Sequence, residues 1–173
     1  MFFVVRFYDH ETHSADNEFR YQIMKEIQQY PDIRSVVGFA SHENIPNKYA
    51  DFQVTPYSLR EYLSRIAKAR VAIYVRGLHN CLSFKFGQLL SLGMPIVGQT
   101  IHNNKDNIMN TDYFDEQFAY DDPKAIVRGA IGLLKNPEKQ VALSVSNASV
   151  FDIKFAPKAV VADILTHLLR GAQ

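Results

Sequence analysis

Cysteine is nearly absent from this 173-residue chain, which contains only Cys81. A single cysteine excludes an internal disulfide framework and fits a reducing compartment, so a cytoplasmic location is expected. An excess of charge of either sign is missing as well. Nineteen Lys and Arg against 18 Asp and Glu leave a formal net charge of +1, which offers no electrostatic case for nucleic acid. No apolar run approaches the ~18–20 residues that cross a bilayer, so the chain is not expected to span a membrane. The apolar start, residues 1–6, is too short for a signal segment and has no basic flank; it reads as a first strand. Repeats, low-complexity tracts and linkers are also lacking. What is present, 47% hydrophobic and 21% charged residues, is the composition of an ordinary globular protein. The length suits one domain over residues 1–173 with a proper core, where most of the 12 Phe and 9 Tyr are expected to pack.

Apolar periodicity then orders the elements. Residues 2–7, 35–39, 51–54, 71–75 and 95–98 read as strands, and 117–119 as a last short one. Between them, Phe19, Ile23, Ile27 and Tyr30 fall at helical spacing, closed by Pro31. Leu59, Tyr62, Leu63 and Ile66 form a second stripe, introduced by Ser58 and Glu61 at capping-box spacing. A third helix is expected over 82–92, ended by Gly93. Asp122-Pro123, Pro137 and Pro157 open three more, with Ile126, Ala130, Ile131 and Leu134 inward on the first. Strands alternating with helices imply a Rossmann-like, doubly wound α/β fold with a mostly parallel sheet of five to six strands. Ligands of such sheets sit beyond the carboxyl ends of the strands, which singles out loops 8–17, 40–44, 76–83, 99–107 and 120–122.

The stretch from Ala69 to Gly77, followed by His79-Asn80-Cys81-Leu82-Ser83-Phe84-Lys85-Phe86-Gly87-Gln88 and on through Gly93-Met94-Pro95-Ile96-Val97, resembles the nucleotide-binding region of GT-B glycosyltransferases. The pattern carried is strand, loop, then S-x-K-x-x-E-x-L-x-x-G-x-P-I-V. Asp121-Asp122-Pro123-Lys124-Ala125 and Phe155-Ala156-Pro157-Lys158-Ala159-Val160 are similar to the helix starts that close that domain. The similarity covers about residues 54–169. It implies the C-terminal, sugar-nucleotide-binding half of a metal-independent glycosyltransferase, with a UDP- or GDP-sugar as donor and no cofactor. Transfer would take place against an N-terminal acceptor-binding domain, in the same or another chain; this one has room for a single domain. The base that activates the acceptor usually comes from that other half, so no catalytic residue is assigned.

The residues themselves support an anion site. A helix start after loop 76–81 directs backbone N–H groups and a positive dipole end at a diphosphate. Gly77 permits a tight turn there, Ser83 can donate to a phosphate oxygen, and Arg76 and Lys85 can neutralise its charge. Lys85, Gln88 and Cys81 form a stripe beside the apolar face of that helix. Two positions depart from the family's pattern. Gln88 stands where a Glu usually grips the ribose hydroxyls. Loop 8–17, which commonly carries a basic pair, contains no Lys or Arg and has Asp9, Glu11 and Asp16 instead. These departures favour a rival reading, a non-catalytic protein-interaction module. A second rival is a small nucleotide-processing hydrolase of deoxyribosyltransferase type, whose carboxylate would be Asp9, Glu11 or Glu43. His10 and His13 with Asp9 and Glu11 match no metal-ligand spacing, and His79 beside Cys81 has no orienting partner for a nucleophile.

Overall fold

A computed structural model describes residues 1–102 and 116–170; the part of loop 99–107 beyond residue 102 lies outside the described residues. Five strands form one sheet, β1 (Phe2–Arg6), β2 (Val36–Ala40), β3 (Gln53–Val54), β4 (Ala72–Tyr74) and β5 (Ile96–Gly98). Their order is β3-β2-β1-β4-β5 and every pairing is parallel. This is the Rossmann order, distinct from the 2-1-3-4-5 order of flavodoxin-like sheets. The chain winds outward from β1 to β3, then returns to the other side of β1 for β4. The switch point therefore falls between β1 and β4.

Alternation along β1 explains why helices cover both faces. Met1, Phe3, Val5 and Phe7 join a core with α1 (Ser14–Gln28) and α4 (Pro123–Leu134), while Phe2 and Val4 point into the opposite core. There they meet Ile66 of α2 (Leu59–Ala67) and Phe86, Leu89 and Leu90 of α3 (Lys85–Ser91). Strand β4 repeats the pattern, with Ile73 on the first face and Ala72 and Tyr74 on the second. Strands buried on both sides read as near-continuous apolar runs, as residues 2–5 do. Beyond α4, α5 (Pro137–Val150) runs through a π-helical turn, Phe151–Phe155, into α6 (Pro157–Arg170).

Local chemistry sets several boundaries. The Ser58 side chain accepts from the Glu61 N–H, and the Glu61 carboxylate accepts from the Ser58 N–H, completing the capping box of α2. Asp122 and Asn136 cap α4 and α5 with one bond each, accepting from Ala125 N–H and Lys139 N–H, and each helix has Pro in its first turn. Gly93 takes φ +56° and closes α3 as a Schellman turn, with Gly93 N–H to Leu90 O and Met94 N–H to Leu89 O.

Three expectations change. The helix expected over 82–92 begins at Lys85, because the Tyr74 hydroxyl accepts from Ser83 N–H at 3.0 Å and Ser83 Oγ accepts from Lys85 N–H at 3.2 Å. Ser83 thus anchors the helix start from two residues before it. The strand expected over 117–119 shrinks to one parallel bridge, Tyr120 with Gln99. Gln117 is buried and spends its side chain on Ile96 N–H and Asn147 instead. Leu59, expected inward on α2, is exposed and borders the cleft described next. Among the described residues no helix is long and apolar enough to cross a membrane.

Candidate functional site

Beyond the carboxyl ends of β1 and β4, at the switch point, lies a crevice of about 60 Å³ lined by Arg6, Tyr8, Arg20, Arg76, Ser83 and Lys85 among others. Four cations line it, and among the described residues no carboxylate does. Each cation arrives from a different element. Arg6 ends β1, Arg20 projects from α1, Arg76 follows β4, and Lys85 opens α3. A second cavity of about 640 Å³ continues from the first, sharing Val4, Arg6, Tyr62 and Lys85 with it. It extends over the ends of β2 and β3, with walls from Pro56, Tyr57 and Tyr62 and polar groups from Asp9, His42, Glu43 and Gln88. Its size lies within the roughly 300–1,000 Å³ of small-molecule sites.

Arg20 is 3% exposed, although it carries a full charge. Its Nη1 donates to Arg6 O at 3.4 Å and its Nη2 to Arg76 O at 3.3 Å, and the guanidinium lies 4.2 Å from the Tyr8 ring centroid. Two carbonyls and an aromatic face make this burial tolerable. The Arg76 side chain pairs with Asp121 at 3.2 Å, while its Nε is buried and bonds to nothing among the described residues. A buried donor left unmatched is costly, and a phosphate oxygen is an acceptor of the right charge. The Arg76 main chain is fixed by Gln99 Oε1, which accepts from its N–H at 3.0 Å.

Lys85 sits where the two cavities meet. Its Nζ donates to Val4 O at 2.6 Å and lies 5.7 Å from the Tyr62 ring centroid; among the described residues no carboxylate pairs with it. Burial, with a smaller contribution from Arg20, lowers its pKa to about 7. Burial also pushes the Tyr62 hydroxyl above its ordinary value and the Tyr74 hydroxyl up to about 12, so both are neutral hydrogen-bonding groups at physiological pH.

The structure thus brings Arg76, Gly77, Ser83 and Lys85 to one crevice, and places Gln88, one turn on from Lys85, at the larger cavity. The role assigned to Gly77 changes. Its φ is −77°, which any residue adopts. A Cβ there would meet Cys81 Sγ at 2.7 Å, so a side chain at this position would displace the exposed Cys81 thiol. The left-handed residues of the loop are His79, φ 55°, and Asn80, φ 59°. The helix-dipole contribution is also smaller than the sequence implies, because α3 has seven residues and its first two amides, Lys85 and Phe86, donate to Ser83 Oγ and Ser83 O. Cys81 precedes α3 and is exposed, and it lines neither cavity.

Arg6 and Arg20 escaped the sequence reading, yet they flank loop 8–17 and bring the positive charge that the loop itself lacks. The signal for Arg20 was its place on the apolar stripe, three, four and seven residues before Ile23, Met24 and Ile27. Of the carboxylates weighed for hydrolysis, Asp9 and Glu43 border the larger cavity and Glu11 does not. His13 pairs with Asp16 at 3.5 Å and stacks edge-on against His79. Among the described residues, no three His, Cys, Asp or Glu side chains are grouped to hold a metal ion. No family model, curated protein or solved structure matches the chain.

Proposed function

We propose that this domain binds the diphosphate of a nucleotide sugar at the crevice between β1 and β4 and serves as the donor-binding half of a glycosyltransferase. The observation that carries the reading is the charge of that crevice. In a chain of net charge +1, Arg6, Arg20, Arg76 and Lys85 line one pocket that no carboxylate lines among the described residues, at the place where Rossmann-order sheets bind ligands. Asp121 offsets part of this charge through Arg76, and a bound anion would offset the rest. Arg76 and Lys85 contact the phosphates, and Ser83 donates from its hydroxyl. Arg20 holds the two strand ends in register, and Gln88 reaches the ribose from the next turn of α3. As the glycosidic bond breaks, these cations stabilise the departing diphosphate. The acceptor and the base that activates it come from a second domain, in this or another polypeptide.

A thermal-shift titration with UDP, GDP, UDP-glucose and GDP-mannose tests the reading. Ligand at ~100 times its Kd stabilises by ~2.7 kcal/mol, several degrees for a domain of this size. A shift that disappears in Arg76→Ala supports donor binding.

The protein-interaction module is a second reading, favoured by one observation. On α6 the side chains of Val161, Ile164, Leu165, Leu168 and Leu169 are all more than half exposed. Folded protein that shifts with none of the four nucleotides would support this reading instead.

A further inference from the structure

The larger cavity narrows the choice of donor. We propose that it selects guanine, with the Glu43 carboxylate accepting from N1–H and the 2-amino group, so that the donor is a GDP-sugar; this rests on the diphosphate reading of the crevice.

Phosphates at the β1–β4 crevice place the base toward β2 and β3, and two strand spacings amount to about 10 Å, enough to accommodate the intervening ribose. Lys85 lines both cavities, and Gln88, one turn on, and Glu43, which follows β2, line the larger one. Pro56, Tyr57 and Tyr62 line the same cavity and offer flat apolar surface to a planar ring. The Tyr57 ring is held from one side by the Arg65 guanidinium, 4.3 Å from its centroid.

Glu43 is an exposed residue that lines the cavity, with its main chain fixed and its charge uncommitted. Its carbonyl accepts from Ser41 Oγ at 2.8 Å and Gln53 Nε2 at 2.8 Å, and its N–H donates to Ser41 Oγ at 3.2 Å. The main chain is therefore fixed on both sides, while the carboxylate has no hydrogen-bond or ion-pair partner among the described residues. An ionised carboxylate only accepts. Guanine presents two donors side by side, N1–H and the 2-amino group. Uracil sets its one N3–H between two carbonyls, and adenine sets an acceptor beside its amino group. Guanine alone matches both carboxylate oxygens. Asp9, the other carboxylate at this cavity, follows β1 rather than β2.

Competition binding on the full chain with GDP, IDP, UDP, ADP and pyrophosphate tests this. IDP lacks only the 2-amino group. GDP is expected to bind about tenfold or more tighter than UDP or ADP, the usual worth of a bidentate base contact, and several-fold tighter than IDP, which keeps one of the two bonds. In Glu43→Gln the GDP advantage over IDP should vanish, with UDP unchanged within about twofold. UDP or ADP binding as tightly as GDP, or a GDP preference that survives Glu43→Gln, would overturn the assignment. Equal binding of all four nucleotides, displaced by pyrophosphate and lost in Arg76→Ala, removes guanine selection and leaves the diphosphate site standing. No binding by any of them removes both.

Discussion

Arg20 bridges the switch point, donating from Nη2 to the main-chain carbonyl of Arg76 at 3.3 Å and from Nη1 to that of Arg6 at 3.4 Å. One buried guanidinium thus joins the ends of two adjacent parallel strands, β1 and β4, whose separation defines the crevice. The joint is both structural and electrostatic, and the two roles separate by mutation.

Arg20→Met keeps the length of the side chain and removes its charge and donors. Stability should fall by about 1–3 kcal/mol, the range for buried groups left without their partner. Diphosphate affinity should fall at least tenfold. Urea unfolding and calorimetry measure the two effects, and an affinity unchanged in a folded Arg20→Met would remove Arg20 from the site.

Lys85 predicts a pH dependence with a definite sign. Its folded pKa, lowered by burial to about 7, lies below the ordinary ~10.4 of an unfolded lysine. Between these values the unfolded chain binds more protons, so this group makes stability rise from about pH 7 toward pH 10, whereas below pH 7 its contribution is flat. Lys85→Met should remove that slope. A bound diphosphate favours the ammonium form, so binding at pH 8 should take up a proton. Calorimetric heats that do not vary with the ionisation enthalpy of the buffer would contradict this.

Tyr74 organises the loop through its hydroxyl, which accepts from Ser83 N–H. Tyr74→Phe leaves the ring packed edge-on against Phe86 and Phe118, with centroids 5.7 and 5.6 Å away, and removes only the acceptor. A loss of about 1 kcal/mol in stability, together with weaker nucleotide binding, is expected from denaturation and titration of the same variant. Nucleotide affinity equal to wild type would show that this bond does not set the loop.

Gly98 supports the same residue from the neighbouring strand. A Cβ at that position would lie 2.7 Å from Tyr74 O and 2.8 Å from Tyr74 Cβ, so Gly98→Ala must separate β5 from β4. Overpacking of this kind costs about 1–3 kcal/mol. A melting temperature within a degree of wild type would contradict the close approach.

Much of the fold was legible because burial on both faces leaves a direct trace, the apolar runs at residues 2–5 and 71–75. Helix starts carrying Pro, Asp or Ser were equally plain, and α6 begins at Pro157 as expected. The start of α3 was not legible, since it is decided by a hydroxyl nine residues earlier that meets Ser83 only once the chain has folded. The sixth strand was lost to a similar cause, the burial of Gln117 against Asn147. At the site, the position of Arg76 after a buried strand and the spacing of Lys85 and Gln88 on one helix could be read directly. Arg20 could not be recognised by residue type alone, because an arginine within an apolar stripe has meaning only when its polar surroundings are known. Glu43 was weighed as a catalytic carboxylate, and its nearness to Pro56 and Tyr57 came only with the pairing of β2 and β3.

The central claim is that the cations at the switch point bind a nucleotide diphosphate. Isothermal calorimetry of the wild type and Arg76→Ala with GDP and UDP, at two salt concentrations, tests it most directly. The account predicts saturable one-to-one binding that weakens as salt rises and falls at least tenfold in folded Arg76→Ala. Absence of heat with either nucleotide at millimolar concentration, or binding indifferent to Arg76, would contradict it.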